Sequence, residues 1–137
     1  MQLAYALLAQ SAEFSRDGKL YVLGGDFDTI WANSFPAAHP FMCVVVKLVA
    51  SPEDLGQEHG LTVRLVAPEG NLIAQATIPV RLPADAVHRQ PKVGLLANIL
   101  GATFAAPGPH VVVLEVDGNE VGRLPLHVAQ SDKEREG

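Results

Sequence analysis

The chain is expected to fold as an all-β protein, an antiparallel β-sandwich, and three observations carry that expectation. The segment His110 to Val128 reads HVVVLEVDGNEVGRLPLHV, two apolar runs around Asp117-Gly118-Asn119, and those residues tolerate the positive φ of a tight hairpin turn. Short alternating or apolar runs separated by turn signals recur along the chain, enough for about eight strands. No long amphipathic helical pattern interrupts them, which argues against a doubly wound α/β fold.

Taken in order, Leu3 to Ala9 has the composition of a helix, yet Leu3, Tyr5, Leu7 and Ala9 alternate as one face of a strand. Strand is the preferred reading, because Arg16-Asp17-Gly18-Lys19 is a turn and Leu20-Tyr21-Val22-Leu23 is rich in strand formers. Gly24-Gly25 breaks that strand, and Asp26 to Trp31 is read as a short strand or a bulged continuation. Ala32 to Pro40, with Pro36 and Pro40, is read as a loop crossing between sheets or edges. Phe41 to Val49 is apolar on both parities except at Lys47, which predicts a central strand covered on both faces or lying at an oligomer interface. Ser51-Pro52-Glu53-Asp54 has Ser as N-cap and Pro in the first position of a single helical turn.

A second hairpin is predicted from Leu61, Val63 and Leu65, a turn at Pro68-Glu69-Gly70-Asn71, and a returning face of Leu72, Ala74, Ala76, Ile78 and Val80. Leu82 to Pro91 is an exposed connection, Val93 to Leu100 a strand with a short helix as the alternative, and Pro107-Gly108-Pro109 a turn. In the last hairpin Val112, Leu114 and Val116 face inward. A two-residue turn at Gly118-Asn119 would set Val121 opposite Val116, and the inward set then changes parity to Leu124, Leu126 and Val128, which requires a β-bulge at Gly122-Arg123.

At 137 residues the chain suits one domain, placed at residues 1–129, with 130–137 as a charged, flexible tail. The apolar fraction of 48% and charged fraction of 18% are those of a folded chain. A net charge of -5 with scattered basic residues argues against nucleic acid as a partner. No run approaches the length of a spanning helix and no leader pattern opens the chain, so no membrane partner and a cytoplasmic location are expected. The single cysteine, Cys43, lies in FMCVVVKLV and reads as a small buried hydrophobe.

Two resemblances accompany these readings. Phe104, Pro107-Gly108, the strand through Val116, Asp117-Gly118 and the returning strand are similar to the last strands of bacterial immunoglobulin-like domains, which implies an immunoglobulin-like outline without the cysteine pair. Gly18-Lys19-Leu20, Leu23-Gly24-Gly25, Phe35-Pro36 with His39-Pro40, the Val44 to Leu48 strand and His59-Gly60-Leu61 resemble, in order and spacing, an uncharacterised bacterial family of small β-sandwich proteins, a domain of unknown function. That likeness spans the first half of the chain. It implies a compact sandwich and carries over no catalytic residue.

The chemistry-bearing residues are sparse. His39, His59, His88, His110 and His127 have no metal-ligand spacing, the serines lack a Gly-x-Ser-x-Gly elbow, and Gly24-Gly25 precedes acids, the wrong charge for a phosphate cradle. Asp26 and Asp28 would share one face of a strand, where a carboxylate pair binds a cation or serves as acid and base; more commonly such pairs are solvated charges that guard an edge. His39, between prolines, most commonly fixes a loop through a hydrogen bond. Its functional role would be as the polar tip of a ligand-facing loop with Trp31 as stacking face and Phe35 nearby. The expected function is therefore a non-catalytic protein-interaction or assembly module, with a protein partner or a second copy, no cofactor and no metal. The alternative is a small-molecule or metal-binding domain whose site uses Asp26, Asp28, Trp31, Phe35 and His39.

Overall fold

A computed structural model describes residues 1–82 and 91–131. Among them the chain forms β1 (Gln2–Phe14), β2 (Leu20–Gly25), β3 (Thr29–Ala32), β4 (Ala37–Val49), β5 (Glu58–Val66), β6 (Leu72–Arg81), β7 (Lys92–Phe104), β8 (Gly108–Val116) and β9 (Asn119–Gln130), with one 3-10 turn at Pro52–Asp54. The strands make a four-stranded sheet, β2-β1-β4-β7, and a five-stranded sheet, β3-β9-β8-β5-β6. The all-β expectation holds, with nine strands in the described residues rather than about eight. One pairing departs from the antiparallel expectation: β3 runs parallel to β9, from Thr29 opposite His127 to Ala32 opposite Gln130. The charged tail read at 130–137 begins inside the structure, since β9 runs to Gln130; residues 132–137 and the connection at 83–90 lie outside the described residues.

The core lies between the sheets. Met42, Val44, Val46 and Leu48 of β4 and Leu8 of β1 meet Leu61, Val63 and Leu65 of β5, Val112, Leu114 and Val116 of β8, and Leu126 and Val128 of β9, all buried. Alternation places them there, since one residue in two faces inward along each strand. In β6 the alternation slips. Leu72 pairs with Val66 but Ala74 with Leu65, so Ile73 is the extra residue; it packs on the core while Leu72, expected inside, is exposed.

The final hairpin keeps the predicted inward set but not the predicted register. Asp117 and Gly118 have φ of 52° and 84°, the two positive values of a two-residue hairpin turn, and Val116 pairs with Asn119. The turn therefore sits one residue earlier than expected, and Val121 is not opposite Val116. Glu115 faces Glu120 and Leu114 faces Gly122, which makes Val121 itself the bulged residue, adjacent to the predicted site. A side chain at Gly122 would run into Leu3, so the glycine there also makes room for β1.

β4 is an inner strand, as expected, and its two-sided apolarity has an internal explanation. Phe41, Cys43 and Val45 face away from the core, yet Cys43 and Val45 are fully buried with Ala9 in a second cluster built by Leu7, Ala12, Phe14, Leu20, Phe41 and Leu96. β1 pairs with β4 only as far as Ala9 opposite Cys43; beyond it, residues 9–14 pair with β2. The Phe14 ring occupies the space where a side chain of Gly94 would stand, on the far face of β7. The β1–β2 hairpin thus folds back over the outer face of its own sheet, and no second molecule is needed to cover this strand. At the other end of β7, Gly101 has φ of 65° and changes the facing: Leu100 is 73% exposed while Ala102 and Phe104 point into the core.

Two local readings are confirmed. Gly18 takes φ of 83° in the turn between β1 and β2. At Pro52–Asp54 the Asp54 carboxylate accepts hydrogen bonds from the Ser51 N–H and hydroxyl, both at 2.9 Å. The segment Ala32 to Pro40 is less of a loop than its prolines suggest, because β4 already begins at Ala37 and contains His39 and Pro40. Pro40 removes a backbone donor just where β4 no longer pairs with β1.

Candidate functional site

Of the residues singled out in the sequence, Trp31 and His39 come together. Parallel pairing with β9 holds β3 so that Ile30 turns to the core and Trp31 outward, 57% exposed. His39 reaches the same place from the start of β4, opposite Ala102. With Gln10, Gly24, Gly25, Phe27, Thr29 and Ile30 they line an open hollow of about 500 Å³. Its walls are aromatic and aliphatic, with an amide, a hydroxyl and an imidazole as hydrogen-bonding groups.

Asp26 and Asp28 do not join them. Asp26 has φ of 61° and lies outside any strand, its N–H donating to the Leu8 carbonyl at 2.7 Å. Asp28 precedes β3; its carboxylate accepts the Thr29 hydroxyl at 2.9 Å and its carbonyl accepts the His127 N–H at 2.7 Å. The strand that would have put both carboxylates on one face does not form, since β3 starts only at Thr29. Phe35 packs partly buried against the core rather than lining the hollow. Among the described residues no group of three or more His, Cys, Asp or Glu side chains is placed to hold a metal ion.

The best-formed polar constellation involves a residue pair that no local pattern links. His59, at the start of β5, holds the Asp117 carboxylate with Nδ1 at 2.6 Å and the Asp54 carbonyl with Nε2 at 2.8 Å. Asp117 also accepts the Gly60 N–H at 2.9 Å, and its own N–H donates to the Gly60 carbonyl at 3.0 Å. Both ring nitrogens meet groups that only accept, so the imidazole serves as a cation donating twice. The Asp117 carboxylate, then the Asp54 carbonyl, raise the His59 pKa above its ordinary 6.5; the imidazole, then the Gly60 N–H, lower that of Asp117 below 3.8. With no ring lone pair left over, the pair clamps the β8–β9 turn to β5 and is not poised as a general base. The only sequence signal for it was Asp117 as a turn residue; the other half of the contact lies 58 positions away.

This clamp predicts a pH signature. The His59 contribution to stability is complete below pH 6.5 and is lost as pH rises through its higher folded value; the Asp117 contribution is complete above 3.8 and is lost as pH falls through its lower folded value. Asp117→Asn, which keeps the turn, is expected to lower the His59 pKa toward 6.5 and to flatten the alkaline loss of stability. NMR titration of His59 with urea unfolding across that range measures both; an unmoved His59 pKa contradicts the clamp.

A further exposed apolar feature is β2. It is an outer strand that pairs only with β1, and residues 21–25 are exposed, Tyr21 at 56%, Val22 at 40% and Leu23 at 66%. Compared with known proteins, residues 4–129 match the model of a family of unknown function, DUF6941. No curated protein matches the chain. Among the described residues no helix is long and apolar enough to cross a membrane.

Proposed function

We propose that this chain, which belongs to the DUF6941 family of unknown function, is a non-catalytic protein-interaction module working through the edge of β2. The observation that carries the proposal is the edge itself: an outer strand with three consecutive large hydrophobic residues exposed. An edge strand offers a row of backbone donors and acceptors to an incoming strand, and proteins ordinarily blunt such edges with charge, proline or brevity. The other outer strands of the two sheets carry such devices or are covered by a neighbour. β3 has four residues, β6 carries Pro79 and Arg81, and β7 runs alongside β6. The immunoglobulin-like outline belongs to the same proposal, supported by Phe104 and Gly108 leading into the β8–β9 hairpin.

A photo-crosslinking residue at Leu23, introduced in the native cell, is expected to capture a protein partner, while the same group at Leu72 of β6, which is also exposed, is not. Absence of any protein adduct from position 23 overturns the proposal.

A second reading has its own observation, the meeting of Trp31 and His39 in one hollow with Phe27 and Gln10. There the protein would bind a small, partly aromatic or apolar molecule. A ligand that shifts Trp31 fluorescence, and no longer does so in His39→Ala, would favour it over the β2 edge.

A further inference from the structure

We infer that the hollow of Trp31 and His39 binds a neutral saccharide, with one face of a sugar ring on the indole and its hydroxyls held by Gln10, Thr29 and His39. The inference rests on the small-molecule reading above and names the class of ligand. The hollow opens where the chain leaves the four-stranded sheet after β2 and enters the five-stranded sheet at β3, so both sheets contribute to it. This crossing brings the aromatic rings of Phe27 and Trp31 beside polar groups of β1 and β4.

The polar groups there are not used up by the fold. A histidine between prolines most commonly ties down its loop, yet among the described residues His39 has no hydrogen-bond partner, and neither ring nitrogen is closed off from solvent. The Gln10 amide is likewise without a partner among the described residues, and its end lies over Gly24, in the space a side chain there would fill. The Thr29 hydroxyl donates to the Asp28 carboxylate at 2.9 Å, which leaves its oxygen to accept.

Their chemistry selects the ligand. An amide and an imidazole each donate and accept, and the threonine oxygen accepts, a set that suits hydroxyl groups, which do both. Among the described residues no acid, lysine or arginine lines the hollow, so nothing in it balances a phosphate or carboxylate. Asp26 and Asp28, exposed on either side of Phe27, and the net charge of -5 repel an anion. A quaternary ammonium group would use the aromatic rings and leave the three polar groups idle. A sugar uses both: its C–H face packs on the indole, which is 57% exposed, and the hydroxyls at its edge meet the hydrogen-bonding groups.

Trp31 is the one tryptophan of the chain, so tryptophan fluorescence reports on this place alone. Neutral oligosaccharides of glucose, galactose, mannose, xylose and N-acetylglucosamine are titrated to about 10 mM, a tenfold margin over a millimolar Kd. At least one is expected to change the emission saturably. On the native chain it should shift the amide resonances of Gln10, Gly24, Thr29 and His39 and leave those of the β8–β9 turn in place. His39→Ala and Gln10→Ala are each expected to weaken binding about fivefold or more, the loss of one hydrogen bond. Trp31→Ala should abolish it, read by saturation-transfer NMR on the sugar protons, with urea midpoints near that of the native chain showing that the variants stay folded. No binding by any saccharide of the panel, amide shifts confined to other regions, or binding undiminished in Trp31→Ala overturns the inference. Choline and adenosine are titrated alongside. A response to either that is lost in His39→Ala, with none to any saccharide, overturns the saccharide and leaves the small-molecule reading standing; silence with every probe overturns the saccharide and counts against the hollow as well.

Discussion

Phe104→Ala is expected to lower stability by about 3–5 kcal/mol, the cost of removing a large ring from a close-packed core that cannot collapse onto the void. Phe104 is fully buried at the end of β7, behind the change of facing at Gly101. Its ring meets His110 edge-on, centroids 5.0 Å apart and planes at 89°, and His110 is itself 4% exposed with Nδ1 donating to the Gly108 carbonyl at 2.9 Å. Truncation therefore leaves a cavity beside a buried polar ring. Since small domains are stable by only about 5–15 kcal/mol, the variant should unfold at a much lower urea midpoint with an unchanged slope. A midpoint near that of the native chain would mean that this corner of the core is loosely packed.

The second large effect is expected at Gly94. Any side chain there meets the Phe14 ring, and a ring held over a sheet cannot yield as the end of a flexible chain does. Gly94→Val should cost about 1–3 kcal/mol through overpacking and should lift the β1–β2 hairpin from the outer face of β4. Cys43 reports the lift. It lies fully buried beneath that hairpin, and burial raises its thiol pKa above the ordinary 9.0, so in the native chain it should react slowly with thiol reagents. In Gly94→Val it should react several-fold faster under conditions where the rest of the chain stays folded. Equal reactivity in both proteins would contradict the folding back of the hairpin.

Much of the scaffold is legible in the residues. The Asp117-Gly118 turn, the inward faces of β5 and β8 and the change of parity in β9 all follow from local spacing, because a strand's two faces differ in polarity every second residue. The exact turn position was not legible, because Asp, Gly and Asn all tolerate positive φ and only the bulge at Val121 reconciles the shorter loop with the apolar set. The Asp26 and Asp28 pair was read from spacing that has meaning only inside a strand, and the strand starts after them. The prolines around Phe35 and His39 predict one loop, yet β4 takes up His39 and the core takes Phe35.

By itself, then, the sequence determined an all-β chain, the places of its main hairpins and which residues of most strands are apolar on one face or on both. Only the tertiary structure decided what covers those faces and which distant residues meet. It folds the β1–β2 hairpin over Cys43 and Val45, carries β3 to the other sheet, joins His59 to Asp117, and leaves β2 as an exposed edge near the hollow of Trp31 and His39. The physical reason is that periodicity reports the polarity of a face, which is local, whereas the partner of that face is chosen by bends at a few turns and by contacts across long separations.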